Sequence, residues 1–165
     1  MEVYRSIKVI FDCGNDNPFE MIKNRIDLIT LGCSKNLVDS ERLMAQLAAC
    51  GYKLHHDPED PKGEIVIVNT CGFIGDAKEE SINAILELTE LKKRRKIGKI
   101  FVMGCLSERY RQELSEEIPE IDRLYGKFDW KQILADLGHQ WDDSLRGSRY
   151  QTTPRHYAYI KIGEG

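Results

Sequence analysis

Three of the five cysteines occupy the same kind of place in the sequence. Cys33, Cys71 and Cys105 each follow a strand-like apolar run, each is next to a glycine, and each precedes a helical pattern. Thiols held near helix N-termini ionise readily and bind soft metals, so we expect lowered thiol pKa values here. The repetition predicts one shared site. Cys13 and Cys50 fall outside the pattern, and we expect them to take no part in that site.

The spacing of these cysteines helps to distinguish between the kinds of metal site that thiols form. A structural zinc ion normally has four protein ligands, often in CxxC pairs, and the sequence contains no such pair. Three widely separated cysteines suit a 4Fe-4S cluster that has one iron left open to an external ligand. We therefore expect Cys33, Cys71 and Cys105 to be the metal ligands. The alternative is a stand-alone metal-binding or thiol-redox module.

The segments between the cysteines alternate between strand and helix patterns. Strands are predicted at residues 26–31, 52–55, 64–69 and 99–103, and helices at about 36–51 and 75–93. Such alternation indicates a parallel sheet with all strand C-termini at one edge, where open α/β sheets bind their ligands. We predict an α/β fold with an open, mostly parallel sheet of four to five strands and helices on both faces. A flavodoxin-like order would place the cysteine loops together at the C-terminal edge.

The connection at residues 56–63 is short for a parallel crossover. The adjacent His55 and His56 beside Asp57 suggest a metal site there. Neighbouring side chains diverge on a strand, however, which favours an ordinary surface role for both histidines.

Three polar residues flank the cysteine loops. We expect Asn36, Asn69 and Thr70 to surround the cofactor, because hydrogen bonds near the sulfurs change the reduction potential of a cluster. The alternative is that these residues close strand ends and cap helices.

Composition and charge limit the function classes. The 165 residues carry a formal net charge of -3, which argues against a general nucleic-acid binder. The longest apolar runs are of strand length, and no secretory signal pattern is visible at the N-terminus. Five free-standing cysteines are typical of a cytosolic protein, so we expect a cytoplasmic location. The basic run at residues 92–96 is interpreted as the end of a helix.

The sequence also suggests where the main domain begins and ends. Residues 1–20 are interpreted as a poorly ordered upstream extension, and the main domain covers residues 21–138. Ser107 is predicted to cap a helix at 108–118. A strand at 121–125 and a helix at 130–137 follow. Residues 139–165 are interpreted as a linker that leads into a strand at 157–162.

The residues that predict the site also carry a family resemblance. TLGCSKNLVDSE at residues 30–41, NTCGFI at 69–74 with AKEES at 77–81, and GCL at 104–106 resemble the signatures of the radical-SAM methylthiotransferases. The spellings around the first two cysteines are similar to the RimO branch of that family. The tRNA-modifying branch usually differs at both places, and it stays the in-family alternative.

The resemblance implies a function. The family's N-terminal methylthiotransferase domain, here residues 21–138, holds an auxiliary 4Fe-4S cluster on three cysteines, which would be Cys33, Cys71 and Cys105. RimO enzymes methylthiolate an aspartate of a small-subunit ribosomal protein. The implied partners are that protein or the ribosome and a sulfur donor, without a membrane and without direct nucleic-acid binding.

The family's S-adenosylmethionine and second cluster bind at a CxxxCxxC motif in the next domain. Residues 139–165 would then be the linker and first strand of a truncated radical-SAM domain. We therefore expect this chain to be inactive alone.

Overall fold

The computed structural model describes residues 21–72 and 75–162. The predicted upstream extension, residues 1–20 with Cys13, lies outside the described residues. Residues 73 and 74, which belong to the second signature, also lie outside them.

Five parallel strands form one open sheet. They are β1 (Ile22–Thr30), β2 (Lys53–His56), β3 (Gly63–Thr70), β4 (Lys99–Gly104) and β5 (Arg123–Leu124). Their order in space is β2-β1-β3-β4-β5, so the three strands that lead to the cysteines are neighbours. The predicted α/β fold and its flavodoxin-like order are confirmed.

Helices cover both faces of the sheet. They are α1 (Ser34–Ala49), α2 (Gly75–Lys93), α3 (Cys105–Arg109), α4 (Arg111–Glu117) and α5 (Trp130–Asp136), with a short 3-10 turn at Asp143–Leu145. The helix α1 ends where the sequence predicts, because Gly51 takes the left-handed conformation (φ +88°) that stops a helix.

The helix predicted at 108–118 differs from the one observed. The structure has two short helices that meet at Tyr110, whose backbone (φ -120°, ψ 32°) is not helical. The first of them begins at Cys105, so Ser107 lies inside α3 and does not cap it. Its hydroxyl lies 3.1 Å from the carbonyl oxygen of Gly104 and 2.5 Å from that of Tyr125. Ser107 therefore joins α3 to the end of β5.

Alternate residues of β3 divide the core into two layers. Ile65 and Ile67 face a cluster formed with α1 and α5, and Val66 and Val68 face a cluster formed with α2, α3 and α4. Each large apolar side chain buried in this way contributes about 1.5–3 kcal/mol. A strand buried on both faces appears in the sequence as a continuous apolar run, which is why the pattern located it.

The connection between β2 and β3 contains no helix. The carboxylate of Asp27, fully buried in β1, accepts the backbone N–H groups of Lys62 at 2.7 Å and Gly63 at 2.8 Å. The Nε of Arg25 donates to the same carboxylate at 2.6 Å. A short crossover is therefore possible, because a side chain of β1 satisfies the backbone groups that a helix would otherwise satisfy internally.

Residues 139–162 contain no strand, so the strand predicted at 157–162 is wrong. Ile160 and Ile162 are exposed there. An alternating apolar pattern becomes a strand only when a neighbouring strand pairs with it, and none of the described strands does. This segment instead lies against α1. The side-chain amide of Gln46 exchanges hydrogen bonds of 2.9 and 3.0 Å with the backbone of Asp142.

Candidate functional site

The three cysteines stand directly beyond the C-terminal ends of neighbouring strands. Cys33 follows β1 and precedes α1, Cys71 follows β3, and Cys105 is the first residue of α3 after β4. The strand ends are level, since the register pairs Thr30 with Asn69 in β3, and the following Thr70 with the last residue of β4. The structure thus puts all three corners at one edge of the sheet. Cys50 lies at the other end of α1 and packs against the core.

Glycines allow these corners to touch. Gly32 has a φ of +89°, and a Cβ built on it would lie 2.5 Å from the Cβ of Cys71 and 2.9 Å from its Sγ. A Cβ on Gly72 would meet the backbone of Cys105 and Leu106 at 3.0 to 3.3 Å. Distances below 3 Å leave no room for a side chain. The loop of Cys33 is therefore packed on Cys71, and the loop of Cys71 on Cys105.

Gly104 serves the third corner in a similar way. Its φ is +106°, and a Cβ there would lie 2.4 Å from the carbonyl oxygen of Thr70. This left-handed backbone is accessible to glycine and strained for other residues. It turns the chain from β4 directly into α3, so that Cys105 begins the helix.

Side-chain amides tie the first two corners together. The Nδ2 of Asn36 donates to the carbonyl oxygen of Leu31 at 2.8 Å and to that of Thr70 at 3.2 Å. The Nδ2 of Asn69 donates to the carbonyl oxygen of Asn36 at 2.9 Å and to the Oγ of Ser40 at 3.0 Å. Both asparagines are buried. These four bonds fix the backbone that carries Cys33 and Cys71, and none of them goes to a thiol.

Two hydroxyls complete this support. The Oγ1 of Thr70 donates to the carbonyl oxygen of Met103 at 2.6 Å, which joins β3 to β4 beside the third corner. The Oγ of Ser81 in α2 accepts the N–H of Cys71 at 3.2 Å and lies 3.0 Å from the carbonyl oxygen of the same residue. The residue types and spacing of Ser81 and Ser40 do not by themselves indicate a role. Their only signal was membership of the family signatures.

The thiols differ in exposure and in electrostatics. Cys33 is exposed, whereas Cys71 and Cys105 are partly buried. Burial raises the pKa of the Cys105 thiol, Lys127 partly offsets this, and the nearby Cys71 thiol adds to it. The expected lowering of the pKa is therefore wrong for Cys105. Its helix α3 has only five residues, so its dipole is too weak to outweigh burial.

The donor set suits a soft metal. The four described cysteines are all free thiols. Within residues 21–72 and 75–162, no three cysteine, histidine or acidic side chains lie close enough together to hold a metal ion. Three thiols on loops packed directly on one another nevertheless supply the ligand chemistry that an iron–sulfur cluster requires.

A cavity of about 350 Å³ opens beside Cys33. His56 and Asp57 line it, and the Nε2 of His56 lies 3.0 Å from the Oγ1 of Thr30 and 3.2 Å from the Oδ2 of Asp57. His55 is exposed at the neighbouring position. The two histidines therefore diverge, as predicted for adjacent residues of a strand.

Comparison with known proteins identifies the family. The model described as "Uncharacterized protein family UPF0004" matches residues 25–126. The chain belongs to this family. The matched range contains the three cysteine corners and the C-terminal ends of the three strands that lead to them. Among the described helices, none is long and apolar enough to cross a membrane.

Curated relatives of this UPF0004 chain carry the name "Ribosomal protein uS12 methylthiotransferase RimO". The chain is 64% identical over 145 residues to the protein of Parabacteroides distasonis, and 63% identical over 145 residues to that of Bacteroides thetaiotaomicron. It is 52% identical over 143 residues to the protein of Flavobacterium psychrophilum. These matches cover 87–88% of the chain and 32–34% of the relatives, so the chain spans about one third of their length. The resemblance to the RimO-type methylthiotransferases is confirmed.

Proposed function

We propose that this chain is the sulfur-handling domain of a RimO-type methylthiotransferase and that Cys33, Cys71 and Cys105 hold its auxiliary 4Fe-4S cluster. The observation that carries the proposal is the packing of the three cysteine loops on one another at level strand ends. Cys50 is left out because it lies at the far end of α1. When bound, a cluster with three cysteine ligands supplies one iron that is open to an external sulfur ligand.

Three polar residues of this chain would hold the three thiols in fixed positions relative to one another. Asn36, Asn69 and Thr70 would act from around the cofactor, since their hydrogen bonds hold the backbone on either side of Cys33, Cys71 and Cys105. Ligand loops that are held by such bonds need less reordering when the metal binds.

The name of the relatives supports uS12 as the substrate, and the family resemblance suggests the other partners. The substrate would be ribosomal protein uS12, free or on the ribosome, and the modified group an aspartate of that protein. A sulfur donor would bind at the open iron. S-adenosylmethionine and a second cluster would act in a separate radical-SAM domain, because the five cysteines of this sequence form no CxxxCxxC motif. We place the activity in the cytoplasm and expect the 165-residue chain alone to be inactive.

Anaerobic reconstitution with iron and sulfide tests the cluster. We expect about four irons per chain and the brown charge-transfer absorption of a 4Fe-4S centre. Replacing Cys33, Cys71 or Cys105 with alanine should remove both, and Cys50→Ala should remove neither. A folded protein that takes up only zinc and stays colourless would support the alternative, a stand-alone metal-binding or thiol-redox module.

A second experiment tests the division of labour. The reconstituted chain is incubated with S-adenosylmethionine, a reductant and uS12. We expect no deoxyadenosine and no methylthio mass increase on uS12, because both need the radical-SAM domain. Formation of either would show that the radical machinery lies within these 165 residues. With the full-length protein, modification of a tRNA in place of uS12 would favour the tRNA-modifying branch.

A further inference from the structure

Two buried carboxylates in the first signature have no part in the cysteine chemistry. Asp39 and Glu41 lie in α1, 2% and 0% exposed. A carboxylate at such a depth is costly unless a cation and hydrogen-bond donors accompany it. The partners of these two residues therefore indicate what they are for.

The partners of Glu41 come from residues 149–152. Arg149 donates to the carboxylate from Nε at 2.9 Å and also from a terminal nitrogen. Thr152 donates from its backbone N–H and from its hydroxyl, both at 2.8 Å. The backbone carbonyl of Glu41 accepts the N–H of Tyr150 at 2.9 Å. Glu41 thus binds Arg149, Tyr150 and Thr152, which lie more than 100 residues away in sequence.

Asp39 fastens the same segment at a second point. The Nζ of Lys161 donates to its two carboxylate oxygens at 2.8 and 2.7 Å. The side chains of this ion pair are only 3% and 6% exposed. An ion pair this well shielded from water keeps far more of its strength than a surface pair. Residues 149–161, called the strap below, are therefore held to α1 at both ends.

The strap forms one wall of the cavity beside Cys33. Thr152, Thr153, Pro154, Tyr157 and Tyr159 line that cavity from the strap, and Cys33 lines it from the cysteine loop. The contacts of Glu41 with Arg149 and of Asp39 with Lys161 are called the anchors below. Arg149 connects the first anchor to this wall, because its guanidinium also donates to the backbone carbonyl of Tyr159. Neutralising Glu41 would release Arg149. The part of the wall around Tyr159 would then lose its support, because Arg149 holds the backbone there.

We propose that Asp39 and Glu41 are positioning residues, which fasten the strap over the loop of Cys33 and so shape the cavity that meets the proposed cluster. The functional meaning of this inference rests on the proposed function. Its geometry does not, and it is tested in the metal-free chain.

The first measurement is limited trypsin digestion of the metal-free chain and of Glu41→Gln. Arg149 is held by Glu41, whereas Arg146 is exposed and unconnected to the anchors. Their initial cleavage rates in one molecule therefore report local release of the strap. We expect the Arg149-to-Arg146 ratio to rise about tenfold in Glu41→Gln, since breaking a buried pair releases its partner. In Asp39→Asn the cleavage after Lys161 should rise instead.

The second measurement separates positioning from stability. Reduced protein is treated with iodoacetamide, which is small, and with a fluorescein maleimide, which is bulky, and the labelling of Cys33 and Cys50 is followed by mass spectrometry. A wall beside Cys33 hinders the bulky reagent more than the small one. Releasing the strap should raise the bulky-to-small ratio at Cys33 about fivefold and leave the ratio at Cys50 unchanged.

The matched control is Gln46→Ala. It removes the hydrogen bonds that hold Asp142, which precedes the strap, against α1, and it leaves the contacts of Asp39 and Glu41 in place. It should lower the stability without changing the ratio at Cys33. If Glu41→Gln does not fold, Thr152→Val removes one hydrogen bond of Glu41 and keeps the ion pair. Unchanged cleavage after Arg149, or freer cleavage with an unchanged ratio at Cys33, would each overturn the proposal. Failure of the chain to take up iron would count against the proposed function alone.

Discussion

The side-chain amide of Asn69 donates a hydrogen bond of 2.9 Å to the backbone carbonyl of Asn36. The end of β3 is thereby fastened to the first turn of α1. The same amide reaches Ser40, whose hydroxyl lies 2.7 Å from that of Thr30 at the end of β1. Two neighbouring strand ends and the helix that follows Cys33 therefore share one buried polar network. A buried polar network stabilises the fold most when every polar group in it has a hydrogen-bond partner.

Replacing Asn69 with alanine should damage this network. The carbonyl of Asn36 and the hydroxyl of Ser40 would each lose a buried partner, and we expect the free energy of unfolding to fall by about 1–3 kcal/mol. Urea unfolding of the metal-free protein measures this. Asn83→Ala, at an exposed position of α2, is the control and should change little. After reconstitution, an Asn69→Ala cluster with unchanged iron content and reduction potential would limit the role of Asn69 to closing the strand end.

Gly32→Ala should disturb the contact between the first two cysteine loops. A Cβ at this position would lie 2.5 Å from the Cβ of Cys71, so the two loops must move apart. Gly51 offers a close control, because its φ of +88° matches the +89° of Gly32 and no atom lies within 4 Å of its Cβ position. Both variants carry the left-handed strain of about 1–2 kcal/mol. Only Gly32→Ala should lose iron on reconstitution, and equal iron binding by the two would contradict the packing argument.

Asp27→Ala should weaken the helix-free crossover from β2 to β3. It leaves the buried N–H of Gly63, the partly buried N–H of Lys62 and the side chain of Arg25 without their acceptor. We therefore expect a loss of about 3–5 kcal/mol in the free energy of unfolding. The control is Asp60→Ala in the same connection. Asp60 pairs with Lys62 at the surface at 3.0 Å, and such a pair is worth at most about 1 kcal/mol. Similar losses in the two variants would show that Asp27 does not hold the crossover.

The contribution of Glu41 to stability should depend on pH. Burial raises the pKa of this carboxyl, but the hydrogen bonds from Thr152 and Arg149 and the charge of Arg149 lower it by more, so it lies below its ordinary value of 4.5. A depressed folded-state pKa gives stability that is complete above the ordinary pKa and is lost as the pH falls through the folded-state pKa.

Chemical unfolding at a series of pH values checks this. The difference in free energy of unfolding between the wild type and Glu41→Gln should be about 3 kcal/mol near neutral pH. It should be constant down to about pH 5 and then shrink as Glu41 is protonated. Glu87→Gln, at an exposed site of α2, should show little difference at any pH. A Glu41 difference that persists unchanged at low pH would mean that its charge does not carry the effect.

The sequence predicted the fold and the cysteine edge because both depend on local patterns. Buried strands such as β3 are continuous apolar runs, and the turn after each strand is marked by glycine and cysteine. It could not predict the break at Tyr110, whose side chain packs against the core in the middle of a continuous helical pattern. The strand expected at 157–162 failed for a different reason, since alternation in sequence does not supply a partner. The role of Glu41 was also out of reach, because its donors lie 108 to 111 residues further along the chain.

That separation has a consequence for biosynthesis. The ribosome makes α1 early and the strap late, so Glu41 and Asp39 must wait in the nascent polypeptide until Arg149 and Lys161 have left the exit tunnel. The five strands, by contrast, are all present once Leu124 has emerged. The sheet and its thiols can therefore assemble while the cavity beside Cys33 still lacks one side. Until Lys161 has been added and has reached Asp39, the cavity beside Cys33 is therefore without the wall that the strap provides.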